Sequence, residues 1–207
     1  IVKSGRVAQI RTGVEFPSRE LLVDPRLVGL WLGDGAISLP RITTIDPEII
    51  NYCKEIAPRY GLFAKVTPIK DKPHIFNIDL TTMTHRGKHG RNVLRNFFRT
   101  LTSTGEKRIP KDYLVNDRNS RLLLLAGLID TDGHNCGGHY SITTKYTGLR
   151  DDILFLARSL GFAAYAKPFK VKKYPDKTYW TVSISGDVSV VPCLLPRKCS
   201  GPRKQQK

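Results

Sequence analysis

"LLLLAGLIDTDGH", residues Leu122 to His134, sets a run of apolar residues directly against two carboxylates, Asp130 and Asp132, with Gly133 between the second acid and His134. A second stretch, "RLVGLWLGDGAI" from Arg26 to Ile37, has the same grammar. When the two are superposed, Gly29 falls on Gly127, Asp34 on Asp132 and Gly35 on Gly133, all at one offset of 98 residues. A repeat of this kind marks a duplicated structural unit.

The likeness continues downstream of each motif. Each copy has a segment containing "ITT", then an amphipathic helix, a glycine (Gly61 or Gly161) and two strands such as "HIFNIDL" and "TYWTVSIS". Asp46 with Pro47 opens the first amphipathic helix, and Thr147 opens the second. The last helix of the first copy is expected over Gly90 to Leu101, and a shorter one is expected after Gly186.

The fold class that follows is α+β, as two pseudo-symmetric α-β-β-α-β-β-α halves over residues 21–101 and 120–195. Residues 102–119, polar and Gly-containing, are expected to join them. Residues 1–20 and the basic tail 196–207 lie outside the repeat and are expected to be mobile extensions.

Asp24 followed by Pro25 opens the first motif helix, and Asn119 or Ser120 is expected to cap the second. Both motif helices are apolar nearly all round, so both are expected to be buried. Gly29, Gly33, Ala126 and Gly127 are small where one helix would approach another, which suggests that the two pack together about a pseudo-twofold axis.

That pairing would bring Asp34 beside Asp132 at the helix ends. Two carboxylates about 5 Å apart repel by on the order of 3 kcal/mol at an effective dielectric of 20, and helix C-termini add negative charge of their own. A hard divalent cation resolves the conflict, and Mg²⁺ suits oxygen ligands with room for water and phosphate, with Mn²⁺ able to substitute. Asp34 and Asp132, with Gly33 and Thr131 beside them, are the expected metal-site residues.

The sequence carries 34 Lys plus Arg against 18 Asp plus Glu, a formal charge of +16 that is spread over most of its length. Such a field attracts nucleic acid. Arg41, Lys65, Lys70, Lys72, Arg91, Lys145, Lys167, Lys170, Lys172 and Lys173 are the candidate DNA-binding cations. No apolar run is long enough to span a membrane, and the first residues lack a signal-peptide core, so no membrane association is expected.

Four scattered cysteines read as reduced thiols in an intracellular protein. His134, Cys136 and His139 lack a fourth ligand and zinc-site spacing. "DTDG" lacks the closing Glu of a calcium loop in either register.

"LAGLIDTDG" and "LVGLWLGDG" resemble the paired name motifs of the LAGLIDADG homing endonuclease family, over roughly residues 21 to 195. The surrounding segments resemble most the endonuclease domain of yeast vacuolar ATPase inteins. The resemblance implies a monomer whose two antiparallel sheets form a saddle on double-stranded DNA, with no obligate protein partner, acting in the nucleus in a eukaryote and otherwise in the cytoplasm. It implies Asp34 and Asp132 as metal ligands, a site-specific double-strand break for homing of a mobile element, and a catalytic lysine in each half. Strands of about ten residues in each half, at about 3.3 Å per residue, set an expected target of roughly twenty base pairs.

For those lysines it points to Lys107 in "EKRIP" and Lys177 in "DKTYWTVSISGD", with Lys72 in reserve. Asp130, whose repeat-mate is Leu32, is expected to be structural. The sequence begins at Ile1 and ends without His-Asn, so splicing is not expected of it. The competing reading is a protein that binds nucleic acid without cutting it, an RNA maturase or a degenerate endonuclease.

Overall fold

The structure, a computed structural model, describes residues 12–82 and 92–201. The first half runs α1 (Pro25–Asp34), β1 (Arg41–Thr44), α2 (Pro47–Ile56), β2 (Phe63–Ile69), β3 (Lys72–Thr81) and α3 (Val93–Thr100). A short α4 (Lys111–Leu114) follows. The second half runs α5 (Arg118–Asp132), β4 (Gly133–Asn135), β5 (His139–Thr144), α6 (Thr147–Ser159), β6 (Ala163–Val171) and β7 (Tyr174–Ser185).

The strands form two antiparallel sheets, ordered β1-β3-β2 and β4-β5-β7-β6. In both, alternate side chains enter the core: Ile42, Ile78 and Leu80 in the first, Ile142, Val182 and Ile184 in the second. The opposite faces carry mostly polar residues, among them Lys65, Asn77 and Asp79 in the first and Lys167, Thr181 and Ser183 in the second, together with exposed Tyr165 and Phe169. The "ITT" segments are strands with repeat-related partners. Arg41, Ile42 and Thr43 pair with Asp79, Ile78 and Asn77, and Ser141, Ile142 and Thr143 pair with Ser183, Val182 and Thr181.

The expected α-β-β-α-β-β-α order is corrected at two points. The first half lacks a strand after its motif and keeps only a bridge between Gly35 and Ile42, because the chain turns at Ala36–Leu39, with Ser38 at φ 61°, and Pro40 follows. The second half ends in two short 3₁₀ turns, Val188–Val190 and Pro196–Lys198, rather than a helix. Pro192 and Pro196 lack the amide hydrogen that a continuing helix needs.

Two boundary expectations also change, and a third keeps its place without its bond. Asp117, not Asn119 or Ser120, caps α5, its carboxylate accepting from Ser120 N at 2.9 Å. Tyr146 rather than Thr147 holds the cap position of α6. Asp46 stands at the cap of α2 without a side-chain cap bond; its carboxylate instead accepts from Arg197 Nη1 and Nη2 at 2.6 and 3.0 Å.

The described parts of the segments outside the repeat are tied to it. Lys107, Ile109, Tyr113 and Asn116, in the expected polar join, are buried. Val14 N donates to Ser159 O at 2.8 Å, and buried Arg121 donates to Val14 O at 2.6 Å and to Ser159 O at 2.9 Å. The described part of the N-terminal extension therefore lies against the second half. The C-terminal segment is fixed by Asp130, which accepts from Leu194 N at 2.9 Å and Leu195 N at 3.1 Å. No helix among the described residues is long and apolar enough to cross a membrane.

Candidate active site at the paired helix ends

Helices α1 and α5 pack face to face. Asp24 caps α1, accepting from Arg26 N at 2.9 Å and Leu27 N at 3.3 Å, so two of the helix's orphan amides are satisfied as it enters the core. From Leu27 to Leu32 every residue of α1 is buried, as is every residue of α5 from Leu124 to Asp130. A Cβ placed on Gly29 would collide with the Leu124 carbonyl oxygen, and one on Gly127 would stand 2.7 Å from Leu30 N. The backbones touch, and this contact carries Asp34 and Asp132, the last residues of the two helices, to the same end of the molecule.

Both aspartates reach the surface, yet protein atoms crowd each carboxylate. Lost hydration raises both acids above the ordinary carboxylate range. Asp132 is pushed up to about 6, first by burial and then by the negative charge of Asp34, against the pull of Lys107 and Lys198. Asp34 is raised by burial and drawn back by Lys198 and then Lys107. A pair of acids that resist ionising together is the donor set that a divalent cation relieves.

Lys107 lies where the sequence expectation put it, beside the motif pair. Its Nζ, in a buried side chain, donates to the carbonyl oxygens of Trp31, Leu32 and Gly33, each at 3.0 Å, and of Gly35 at 2.8 Å. Its pKa falls to about 8 because burial outweighs the attraction of Asp132 and Asp34. Lys177 is not brought to the site. It is exposed on β7 with its Nζ over the Tyr174 ring at 5.2 Å, and Lys72, also exposed, begins β3.

The lysine that closes the second motif helix is Lys198, from the 3₁₀ turn Pro196–Lys198. Its Nζ donates to Ile129 O at 2.7 Å, Asp130 O at 2.6 Å and Thr131 O at 2.8 Å. The two ammonium groups thus close the two motif helices in the same way, filling carbonyls that a helix C-terminus leaves open. Sequence reasoning missed Lys198 for two reasons. It lies 91 residues after Lys107 rather than 98, and it sits in a stretch whose composition reads as a tail. The apolar "VVPCLLP" just before it was the available signal that the chain returns to the core.

The carbonyls of Gly33 and Thr131, expected to join the metal site, each accept from one of these ammonium groups. A carbonyl oxygen has two lone pairs, so each keeps one beside the two carboxylates. Asp130 is structural, as expected: besides holding the C-terminal segment it lies 3.5 Å from Arg26 Nη1.

Among the candidate DNA-binding cations, Lys65, Lys70, Lys145, Lys167, Lys170, Lys172 and Lys173 are exposed on or beside the strands. Arg41 is paired with Asp79. Arg91 lies outside the described residues.

Comparison with known proteins bears on this geometry. The family described as homing endonuclease matches residues 108–191. The chain is 31% identical over 161 residues to the replicative DNA helicase DnaB of Mycobacterium intracellulare, covering 77% of this chain and 23% of that protein. It is 29% identical over 160 residues to the homothallic switching endonuclease of Saccharomyces cerevisiae, covering 67% of this chain and 27% of that protein. The chain therefore spans about a quarter of the length of these curated relatives.

Among solved structures it is similar to the homing endonuclease I-DmoI in complex with DNA and Ca, with a TM-score of 0.56 at 13% identity over 78% of this chain and 82% of that one. The I-DmoI complex with DNA and Mn has the same TM-score and identity, over 78% and 88%. At this identity the likeness establishes the fold.

Proposed function

We propose that this chain, a member of the LAGLIDADG homing endonuclease family, is a site-specific DNA endonuclease that makes a double-strand break by divalent-metal-dependent phosphodiester hydrolysis. One observation carries the reading: Asp34 and Asp132 end two helices in backbone contact, and each helix end is closed by a buried lysine. Supporting it are a homothallic switching endonuclease among the relatives and I-DmoI structures that hold DNA with Ca or Mn.

The carboxylates of Asp34 and Asp132 would hold the cation, Mg²⁺ by preference. When bound, it supplies Lewis-acid stabilisation of the charge that builds on the scissile phosphate. The protein's own contribution is positional and electrostatic. The helix pair fixes the two acids on a rigid base, and Lys107 and Lys198 cancel the negative ends of the helices. They also hold positive charge near the phosphate as the transition state forms. The exposed lysines of the strands hold the DNA backbone. Strands of about ten residues in each half, at about 3.3 Å per residue, match a target of roughly twenty base pairs, bound by a monomer.

The test is selection of bound duplexes from a randomised library in Ca²⁺, followed by transfer of the selected duplex to Mg²⁺. Cleavage of both strands is expected. Tight selective binding with no cut strand in Mg²⁺ or Mn²⁺ would replace this proposal with the binding-only reading.

A further inference from the structure

The outer face of the first sheet holds one feature that a general basic platform does not explain. Arg41 on β1 and Asp79 on β3 are directly opposed in register. Arg41 Nε donates to Asp79 Oδ1 at 2.7 Å and its Nη2 to Oδ2 at 3.1 Å. Both side chains lie on the face away from the core, since their neighbours Ile42, Ile78 and Leu80 are the buried ones. They remain partly open, with 37% and 27% of their side-chain surfaces exposed.

The fold does not require this pair. At the repeat-related place in the second sheet, Ser141 opposes Ser183, with no charge on either. The flanking rows are repeat-related as well: Thr43 opposes Asn77 as Thr143 opposes Thr181. An acid on a face that would otherwise present cations to phosphate opposes backbone binding. A cross-strand ion pair adds to sheet stability, yet Asp79 does nothing for backbone binding.

The chemistry of the pair gives Asp79 a further use. A guanidinium has five N–H donors in a fixed fork. Asp79 takes the Nε edge and one hydrogen of Nη2, which holds the plane of the group still and leaves the Nη1–Nη2 edge with two parallel donors. That edge matches the O6 and N7 acceptors of guanine in the major groove. We propose that Arg41, held side-on by Asp79, is a base-reading residue that specifies one guanine in the target, rather than one of the backbone-binding cations.

The place of that guanine follows from the strand order. Ala36 N donates to Arg41 O at 3.0 Å, which ties the start of β1 to the residues just after Asp34. From Asp79 to the hairpin tip at Lys72 is seven residues of β3, roughly 23 Å at about 3.3 Å per residue. The guanine therefore belongs to the inner part of the first half-site, near the cut, and the hairpin tip reaches the outer flank.

This inference rests on the DNA-recognition reading above, and one experiment separates the two. Duplexes randomised over about twenty base pairs are enriched in Ca²⁺ by the full chain as wild type, Arg41→Ala, Arg41→Lys and Asp79→Asn. The wild type should fix a guanine at one inner position with a tenfold to hundredfold preference, on the order expected for a bidentate pair. Arg41→Ala and Arg41→Lys should both lose that preference while the other selected positions stand, and Asp79→Asn should weaken it at the same position. An unchanged guanine preference in Arg41→Ala, or an even loss of affinity across all sequences, would overturn the assignment. A wild type that enriches no sequence would remove the DNA-recognition reading and this inference with it.

Discussion

Gly29 and Gly127 meet with no side chain between them: a Cβ on Gly127 would stand 2.9 Å from Gly29 Cα. Both positions are in helices, so alanine should gain about 1 kcal/mol in helix propensity. The collisions with the Leu124 and Arg26 carbonyls involve backbone and cannot be relieved by rotating a side chain. We expect Gly127→Ala to destabilise the chain by about 1–3 kcal/mol net, measured by urea denaturation. A neutral or stabilising effect would mean that the helices stand further apart than described.

Lys107→Met and Lys198→Met keep most of each stem and remove the ammonium group. Each should lower the cleavage rate by about a hundredfold or more, while binding of the selected duplex in Ca²⁺ changes only a few-fold. Lys177→Met should leave cleavage within a few-fold of wild type, because Lys177 is exposed on β7 over Tyr174. A large loss in Lys177→Met with none in Lys198→Met would reverse the assignment.

Asp130 is buried and receives two backbone amides from the C-terminal segment. Asp130→Ala leaves both without a partner in the core, at a cost of about 2–4 kcal/mol. Hydrogen exchange at Leu194 and Leu195 should rise in this variant more than exchange in β2 and β3, whose amides belong to the first sheet. Uniform protection in the two proteins would show that the segment is held by other means.

Asp132 has a folded-state pKa near 6, above its ordinary value of 3.8. A carboxylate raised on folding costs stability above its folded pKa, and that cost fades as pH falls from about 6 towards 4. Without metal, Asp132→Asn should therefore be more stable than wild type at pH 7.5, by about 1 kcal/mol once solvent screening of this surface group is allowed for. The difference should shrink by pH 4.5. Metal affinity of the wild type should fall below about pH 6 as the acid takes up its proton. Thermal melts at the two pH values, with and without Mg²⁺, measure both effects.

The repeat made much of the fold legible in the sequence. A period of apolar residues and paired small residues is a local pattern, and it located α1, α5, the sheets and the meeting of Asp34 with Asp132. Arg197, Lys198 and the Asp130 contacts were not legible in the same way. They depend on a chain segment returning more than sixty residues later to a helix end; the apolar residues before Lys198 signal that return, but nothing local says which carbonyls its ammonium group meets. Lys177 shows the converse: similarity around a residue does not fix its direction, and the strand points it into water. The missing strand after α1 was hidden for a conformational reason, since Ser38 and Pro40 turn the chain where the second copy extends it.

The proposed function requires that α1 and α5 join Asp34 and Asp132 into a single divalent-metal cleavage site. The most direct measurement is cleavage of the library-selected duplex in Mg²⁺ by wild type, Asp34→Asn and Asp132→Asn, alongside binding of the same duplex in Ca²⁺. Wild type should cut both strands, each variant should lose cleavage of at least one strand by a thousandfold or so, and duplex binding should persist in both. Undiminished cutting of both strands by either variant would show that Asp34 and Asp132 do not form one cleavage site.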